Sequence, residues 1–400
     1  MKKTKETRHL LSLILAVILL LCGVTACNND NNEGGGEEDT RAAETVIFFF
    51  PYSGLESQIS QNITDIKTAI AALGGTGKSR IIVVKAINQI NAKMTELVYA
   101  DSVCGENVID NLMQLEFNSD DQAKAAASLQ DIFMQVKEVA PAKSYSIAIG
   151  SHGTAWLPAG INISTLTSAT GNGGPQKAFG TGTSRNQISH DALITAAKNS
   201  SLRFNYVFFD ACLMSNIETI YDYRNICDYF ISSAADVPSY GAPYEEVLKS
   251  LLDHNYADVT SNYVSFYENS NFPYACLSVT RCEKINELAQ TVKMIRTLDE
   301  GNTVSLSDVQ KYDGMRATVF YDLADYIHKV YPTSPLLETF DNIMSQVVVN
   351  KASTESIFTA LPSEKSIPVT AFCGISTSSP TANEGAIPLL QETAWYADTH

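Results

Sequence analysis

Two residues of the chain, His152 and Cys212, follow apolar runs and could together catalyse nucleophilic attack on a carbonyl group. His152 comes shortly after the run 145–150, and Cys212 comes shortly after the run 204–209. A cysteine thiolate is a strong nucleophile, and an adjacent imidazole can take up and return the proton. We predict a helix that begins at Leu213, whose dipole would lower the pKa of the thiol. The two side chains therefore indicate nucleophilic catalysis at a shared site.

The residues beside this pair fit the same chemistry. Gly153 lets a substrate approach the backbone closely, and its N–H could form an oxyanion hole with the N–H of Cys212. Taken alone, a cysteine after a buried strand is more often a packing residue. A histidine before glycine, such as His152, is taken alone more often a turn residue. Because both follow apolar strands, catalysis is the better interpretation.

Apolar runs and helical periodicity alternate along the chain from residue 43. The predicted strands are 45–50, 81–86, 96–99, 145–150, 206–209, 229–232 and 274–279. The predicted helices are 59–73, 106–115, 123–139, 190–198, 213–223 and 283–298. This order favours an α/β fold with a mostly parallel sheet that helices cover on both faces. Ligands of such sheets bind beyond the carboxyl ends of the strands, where His152 and Cys212 would meet.

Composition and charge exclude several other classes of protein. The chain has 400 residues, of which 45% are hydrophobic, so it is globular rather than disordered. Lys and Arg number 28 against 44 Asp and Glu, and a net charge of −16 would repel nucleic acid. The cysteines form no CxxC or Cys/His cluster, which argues against a structural metal. Cys276 and Cys282 could bridge in an oxidising compartment, although burial as small hydrophobic residues is the more usual interpretation for Cys276.

The amino terminus has the pattern of an exported lipoprotein. Residues 1–26 combine a basic start with an apolar run that is short for a membrane span, as in a signal peptide. The sequence Val-Thr-Ala before Cys27 resembles a bacterial lipobox, so we expect Cys27 to be lipidated and to anchor the chain to a membrane. An ordinary signal peptide with a chance cysteine is the alternative. Residues 27–42 would be a flexible acidic tether, of the kind that suggests the outer membrane or cell surface.

The whole pattern resembles the clostripain-type cysteine peptidases, in the clan that also contains caspases, legumain and gingipains. The resemblance covers nearly all of the mature chain. It rests most on Ser151–Gly153 and on Asp210–Ser215, which match the catalytic pair of that family in type and order. The supporting stretches are Thr45–Phe50, Asn62–Lys67, Lys177–Gly180 and Cys373–Ser378.

What this resemblance implies is a caspase-like α/β/α sandwich over residues 43–400, with a core over 43–300 and a carboxyl-terminal part over 301–400. Cys212 would attack the scissile carbonyl, and His152 would protonate the leaving amine and then activate water. The expected activity is that of an endopeptidase. No cofactor is expected, and calcium is implied only because some relatives use it.

Clostripain-like enzymes cleave after Arg or Lys through an acidic S1 pocket, and two aspartates are candidates for it here. Asp210 faces the same side of an extended strand as Cys212, and a carboxylate there would pair with a cationic side chain. Alternatively, Asp210 caps the helix predicted after it. Asp236 follows the next predicted strand, and the alternative is a plain turn aspartate.

Members of the family often cut themselves between the catalytic residues, and Lys177 and Arg185 are the basic sites available in that segment. A simple surface loop is the alternative. Ser189 is predicted to cap a helix, which makes His190 structural. Two other functions are alternatives to the peptidase: a non-catalytic surface-binding lipoprotein that keeps the fold, and an acyl transferase that uses the same dyad.

Overall fold

Buried apolar strands of this chain assemble into a nine-stranded sheet with helices on both faces. The computed structural model describes residues 41–116, 121–158, 177–180, 187–298, 306–315, 318–360, 365–380 and 386–400. The strands are β1 (Ala42–Phe50), β2 (Ser79–Ala86), β3 (Asn91–Ala100), β4 (Val103–Gln114), β5 (Ala142–Gly150), β6 (His152–Pro158), β7 (Lys177–Gly180), β8 (Gln187–Ser189), β9 (Phe204–Asp210), β10 (Cys227–Ser232), β11 (Cys276–Arg281), β12 (Tyr321–Asp322), β13 (Val348–Ser353), β14 (Ser356–Thr359), β15 (Lys365–Pro368) and β16 (Ser376–Thr377). The α-helices are α1 (Glu56–Leu73), α2 (Gln122–Val139), α3 (His190–Asn199), α4 (Ile217–Tyr223), α5 (Tyr244–Leu252), α6 (Tyr256–Glu268), α7 (Ile285–Leu298), α8 (Leu323–Val330), α9 (Leu337–Val347), α10 (Ile387–Gln391) and α11 (Ala394–Thr399).

The centre of the large sheet is parallel and its margins are antiparallel. The strand order is β13-β11-β10-β9-β5-β1-β2-β3-β4. The five strands from β10 to β2 run parallel to one another. The pairs β2/β3, β3/β4, β10/β11 and β11/β13 are antiparallel. The predicted mostly parallel sheet is therefore confirmed.

Alternate side chains of the central strands enter two separate cores. On β1, Val46, Phe48 and Phe50 pack in the core that α1, α5 and α6 cover. Ile47 and Phe49 of the same strand pack in the core that α2, α3 and α7 cover. A strand buried on both faces reads as a continuous apolar run, because neither face meets water. The three-layer α/β/α architecture, which is the caspase-like arrangement, is confirmed.

The helix predicted at 106–115 is wrong, because residues 106–114 belong to the edge strand β4. A tight turn at Asp101 and Ser102, with φ values of 50° and 66°, reverses the chain between β3 and β4. Irregular register between the two strands breaks the alternation of apolar residues. Val108 and Leu112 have the i, i+4 spacing of a helix face, but both are exposed on the strand.

Candidate active site

The two catalytic candidates are brought together by neighbouring parallel strands. Gly150 at the end of β5 is the register partner of Asp210 at the end of β9. His152 and Cys212 each follow these partners by two residues, so both lie just beyond the same edge of the sheet. Both line one cavity of about 640 Å³. The predicted meeting of the two residues in one crevice therefore agrees with the geometry.

His152 is partly buried at the start of β6, and this burial lowers the pKa of its imidazole below the usual value. Within the described part of the chain, no hydrogen-bonding partner fixes its ring. A neutral imidazole can accept a proton from a thiol, which is the role of a general base. The ring is thus in the form that the predicted chemistry requires at neutral pH.

The sulfur of Cys212 is held by the loop after β10 rather than by a helix. The N–H of Val237 donates a hydrogen bond to Sγ across 3.3 Å. Burial raises the pKa of the thiol well above its usual value, and the nearby carboxylate of Asp236 raises it further. The resting nucleophile is therefore a protonated thiol, which has to transfer its proton when it attacks.

The helix predicted to begin at Leu213 begins four residues later, so the expected dipole effect on Cys212 is wrong. Leu213 has a left-handed φ of 63°, which is incompatible with a helix start. Asn216 is the N-cap of α4, and its side chain accepts a hydrogen bond from the N–H of Thr219. Because Asn216 occupies the capping position, Asp210 does not cap this helix. The alternative role of Asp210 as a helix cap is therefore wrong.

Gly153 lies where the backbone of the nucleophile passes closest to β6. A Cβ at this position would come within 2.6 Å of the carbonyl oxygen of Cys212 and 2.9 Å of Sδ of Met214. Only glycine fits without a shift of the chain. In the β6/β7 ladder, Gly153 is the register partner of Phe179. The assignment of the N–H groups of Gly153 and Cys212 to an oxyanion hole stays a prediction.

The strand β6 is anchored by two buried polar groups. Nε1 of Trp156 donates a hydrogen bond to Oγ of Ser378 across 2.9 Å. The N–H of Ser378 in turn donates to the carboxylate of Glu218 at 3.0 Å. Nε2 of His190 contacts the carbonyl oxygen of Ala155 at 3.1 Å, and its Nδ1 contacts the hydroxyl of Tyr223 at 2.7 Å. His190 is fully buried, so it is structural as predicted, and Ser189 caps its helix.

Asp210 presents a buried carboxylate to the cavity. Its Oδ2 accepts a hydrogen bond from the hydroxyl of Tyr244 at 3.2 Å, and the N–H of Ala242 also bonds to this carboxylate. Its Oδ1 is buried and has no partner in the described residues. Burial raises the pKa of Asp210 to about 6. Gly241, with a φ of 79°, lets the loop pass close, since a Cβ there would lie 2.8 Å from Oδ2.

Asp236 also lines the cavity, and its carboxyl group has several hydrogen-bonding partners. The N–H of Ala360 donates to its Oδ2 across 2.7 Å, and the side chain of Thr359 also bonds to it. The carboxyl group contacts the thiol of Cys212 as well, and burial raises its pKa. Asp236 therefore connects the nucleophile to the end of β14. Nothing in the sequence indicated this link, because β14 lies more than a hundred residues further along.

Other residues of the cavity were missed in the sequence. Tyr240 is fixed by α1, because Asn62 donates to its carbonyl oxygen at 3.1 Å and its hydroxyl donates to Asp65 at 2.8 Å. Phe272 and Phe358 also line the same cavity. Their aromatic character alone gave no signal, since most aromatic residues of the chain are buried in the cores.

The remaining predicted site residues stand as follows. Lys177 is the first residue of β7 and the register partner of Pro158, whereas Arg185 and Cys27 lie outside the described residues. Cys276 does not face Cys282, because its sulfur contacts the hydroxyl of Ser233 at 3.3 Å. Cys282 instead faces Cys227, with 3.5 Å between the two sulfur atoms. The suggested bridge between Cys276 and Cys282 is therefore wrong.

Two other kinds of feature are absent from the residues that the structure describes. No group of three or more His, Cys, Asp or Glu side chains is placed to hold a metal ion there. Likewise, none of the described helices combines the length and apolarity needed to cross a membrane.

Comparison with known proteins places this geometry in a family. The sequence model of the clostripain family matches residues 53–389. The crystal structure of a secreted C11 cysteine protease from Bacteroides thetaiotaomicron, "iotapain", is 28% identical, with a TM-score of 0.80 over 90% of this chain and 100% of that one. No curated protein matches the chain at a significant level.

Two further solved structures are similar. A clostripain from Bacteroides thetaiotaomicron ATCC 29148, in complex with the peptide inhibitor BTN-VLTK-AOMK, is 32% identical; the match covers 54% of this chain and 96% of that one, with a TM-score of 0.51. An inactive zymogen C11 protease from Parabacteroides distasonis shares the fold, with 23% identity and a TM-score of 0.74 over 91% of this chain and 99% of that one.

Proposed function

Since the chain belongs to the clostripain family and is a cysteine peptidase, we propose that it cleaves peptide bonds on the carboxyl side of Arg or Lys. The observation that carries this proposal is Oδ1 of Asp210, which is buried, has no partner in the described residues and belongs to a carboxylate at the catalytic cavity. A guanidinium or ammonium group would supply the missing partner and compensate the buried charge. The VLTK peptide of the inhibitor bound to the clostripain relative also ends in a lysine.

In the proposed reaction Cys212 and His152 act as a dyad. When a peptide binds, the imidazole of His152 takes the thiol proton and Sγ attacks the scissile carbonyl carbon. The N–H groups of Gly153 and Cys212 stabilise the oxyanion. His152 then gives its proton to the leaving amine, and the thioester forms. A water molecule, deprotonated by His152, hydrolyses the thioester and frees the thiol.

This specificity is tested by changing the charge of the substrate side chain at the cleaved position. The full chain, purified in a mild detergent, would be assayed with fluorogenic peptides that carry Arg, Lys, citrulline or Leu at the cleaved position. Citrulline has nearly the shape of Arg without its charge. We expect Arg and Lys peptides to be cleaved at least about 100-fold faster than the citrulline peptide, because a buried unpaired carboxylate discriminates strongly.

Two variants separate catalysis from specificity. Cys212→Ala should abolish cleavage of every peptide while the protein remains folded. Asp210→Asn should reduce cleavage of the Arg peptide far more than that of the citrulline peptide. Equal cleavage of Arg and citrulline peptides by the wild type would contradict the assignment of Asp210, and cleavage by Cys212→Ala would contradict the dyad.

We also propose that the protein is anchored by lipid on Cys27 at the bacterial outer membrane or cell surface, as the lipobox-like sequence supports. In cells that express the protein and are fed an alkyne fatty acid, the fatty acid should be incorporated into the wild type but not into Cys27→Ala. Surface exposure would be measured by protease accessibility on intact cells. Labelling of Cys27→Ala at the same level would refute the anchor.

Self-cleavage at Lys177 or Arg185 is proposed as well, because both are basic and lie between the catalytic residues in the sequence. Intact mass of the wild type and of Cys212→Ala would reveal a two-chain form that needs the nucleophile. Lys177→Ala and Arg185→Ala would identify the bond. An intact wild-type chain with full activity would exclude this maturation step.

A further inference from the structure

Two aromatic rings in the lining of the catalytic cavity stand partly open to solvent. The rings of Phe272 and Phe358 meet edge to face, with centroids 5.0 Å apart at 70°. Phe272 is 38% exposed although it lies in a concave site. Exposure of an aromatic ring to water is unfavourable, and an apolar group that covers the ring removes this cost. The pair is thus a preformed apolar surface without an occupant among the described residues.

A short chain of contacts connects this aromatic pair to the nucleophile. Phe358 lies on β14, two residues before Ala360. The N–H of Ala360 bonds to Asp236, and Asp236 in turn contacts the thiol of Cys212. The rings and the sulfur therefore border one continuous cavity, and a peptide with its scissile bond at Cys212 would bring neighbouring side chains near the rings.

Backbone hydrogen bonds hold the two phenylalanines in place without a substrate. The N–H of Phe272 donates to Oγ of Ser270 at 3.0 Å, and the N–H of Tyr274 donates to the carbonyl of Phe272 at 2.8 Å. Phe358 is paired with Ser366 in the β14/β15 hairpin. A preorganised surface of this kind loses little conformational entropy when it binds.

We propose that Phe272 and Phe358 form a second subsite, which binds an apolar side chain of the substrate within two residues of the cleaved basic residue. The proposal rests on the proposed function, because it places this subsite beside the pocket of Asp210. It makes the substrate class more specific. The preferred peptides combine one cationic side chain for Asp210 with one bulky aliphatic or aromatic side chain for the rings.

The test is a set of internally quenched peptides with Arg at the cleaved position and Gly, Leu, Phe, Asp or Lys at each of the two flanking positions on either side. At one of these positions we expect Leu or Phe to raise kcat/KM about 10-fold or more over Gly, as apolar contacts in enzyme pockets do. Phe272→Ala should remove most of this preference. Phe272→Asp should replace it with a preference for Lys at the same position.

A matched control is Met134→Ala, which removes another exposed apolar side chain, on α2 and outside the cavity. It should keep the apolar preference of the wild type. Equal cleavage of Gly, Leu and Phe peptides at all four positions would overturn the proposal, as would a preference that Phe272→Ala and Phe272→Asp leave unchanged.

Binding distinguishes failure of this subsite from failure of the proposed function. The Cys212→Ala protein, which has no nucleophile, would be titrated with labelled Arg peptides that differ only in Leu or Gly at the preferred position. Tighter binding of the Leu peptide in Cys212→Ala, weakened about 10-fold or more by the added Phe272→Ala, supports the subsite whether or not the wild type is active. Equal binding of the two peptides counts against the subsite alone.

Discussion

The backbone N–H of Val237 donates a hydrogen bond to the sulfur of Cys212 across 3.3 Å. Cys212 is therefore positioned by the loop after β10, and not by α4, the helix that follows Cys212 in the chain. The same loop carries Asp236, whose carboxylate opposes ionisation of the thiol. Substrate binding has to offset this effect, since the attacking species is the thiolate.

We predict that Asp236→Asn lowers the pKa of the Cys212 thiol. The substitution removes the negative charge but keeps an oxygen that can accept the hydrogen bond from Ala360. The measurement is the rate of iodoacetamide alkylation of Cys212 at several fixed pH values between 7 and 10, followed by peptide mass spectrometry. The variant should be alkylated faster than the wild type at each pH, because a larger fraction of its thiol is ionised. Equal or slower alkylation of the variant would show that Asp236 does not act on the thiol through its charge.

We predict that Asp210→Asn stabilises the folded protein at neutral pH while it reduces cleavage after Arg. The pKa of Asp210 is raised from 3.8 to about 6, so the unfolded chain releases this proton before the folded protein does. Stability therefore falls as pH rises from about 4 to about 6, by roughly 3 kcal/mol at one pKa unit per 1.36 kcal/mol.

Denaturant unfolding at several pH values measures this difference. Asp210→Asn should be more stable than the wild type by about 2–3 kcal/mol above pH 7, and the gap should close at pH 4, where both side chains are neutral. A gap that does not change with pH would mean that packing, and not ionisation, separates the two proteins. Addition of an arginine analogue should stabilise only the wild type.

We predict that Gly153→Ala inactivates the enzyme. The new Cβ would lie 2.6 Å from the carbonyl oxygen of Cys212, so β6 and the nucleophile have to move apart. A displacement of this size in a catalytic site reduces the rate by about 100-fold. Gly105→Ala is the matched control, because its nearest neighbour would be the carbonyl oxygen of Val98 at 3.8 Å. The measurement is kcat/KM, and equal values for the two variants would contradict the steric argument.

We predict a pH-dependent loss of stability for His254→Asn. Nε2 of His254 lies 3.0 Å from Oε2 of the buried Glu44, at the start of β1 and far from the cavity in the sheet. The hydrogen bond to Glu44 raises the pKa of His254. Burial acts to raise the pKa of Glu44, but hydrogen bonds from His254, Ser146 and Asn205 lower it overall.

The signs of these shifts define the pH window. The contribution of His254 is complete below its ordinary pKa of 6.5 and is lost as pH rises through the raised value. The contribution of Glu44 is present above its ordinary pKa of 4.5 and is lost as pH falls through the lowered value. Asparagine tolerates the φ of 53° at this position. His254→Asn should therefore unfold more easily than the wild type near pH 6 and nearly equally at pH 9, in thermal scans.

The centre of the fold could be predicted from the sequence, because short continuous apolar runs that alternate with helices are typical of strands buried on both faces. The runs in β1, β5 and β9 are buried on both faces, and their ends carry the residues of the catalytic pair. The edge strand β4 was missed because one face of it meets water and its register is irregular.

The detailed surroundings of the nucleophile were less predictable. The left-handed φ of Leu213 has no sequence signal, since leucine rarely adopts it. Asn216 is a good N-cap residue and could have indicated the true start of α4. The contacts of Asp236 with Thr359 and Ala360, and the aromatic pair of Phe272 and Phe358, depend on segments that only the tertiary fold brings together.

The bond between Trp156 and Ser378 joins positions that are 222 residues apart in the chain. Translation proceeds from the amino terminus, so the strand that begins at His152 gains this anchor only after Ser378 has been synthesised and has left the ribosome. The growing chain therefore carries a nucleophile and a base without the finished frame that aligns them.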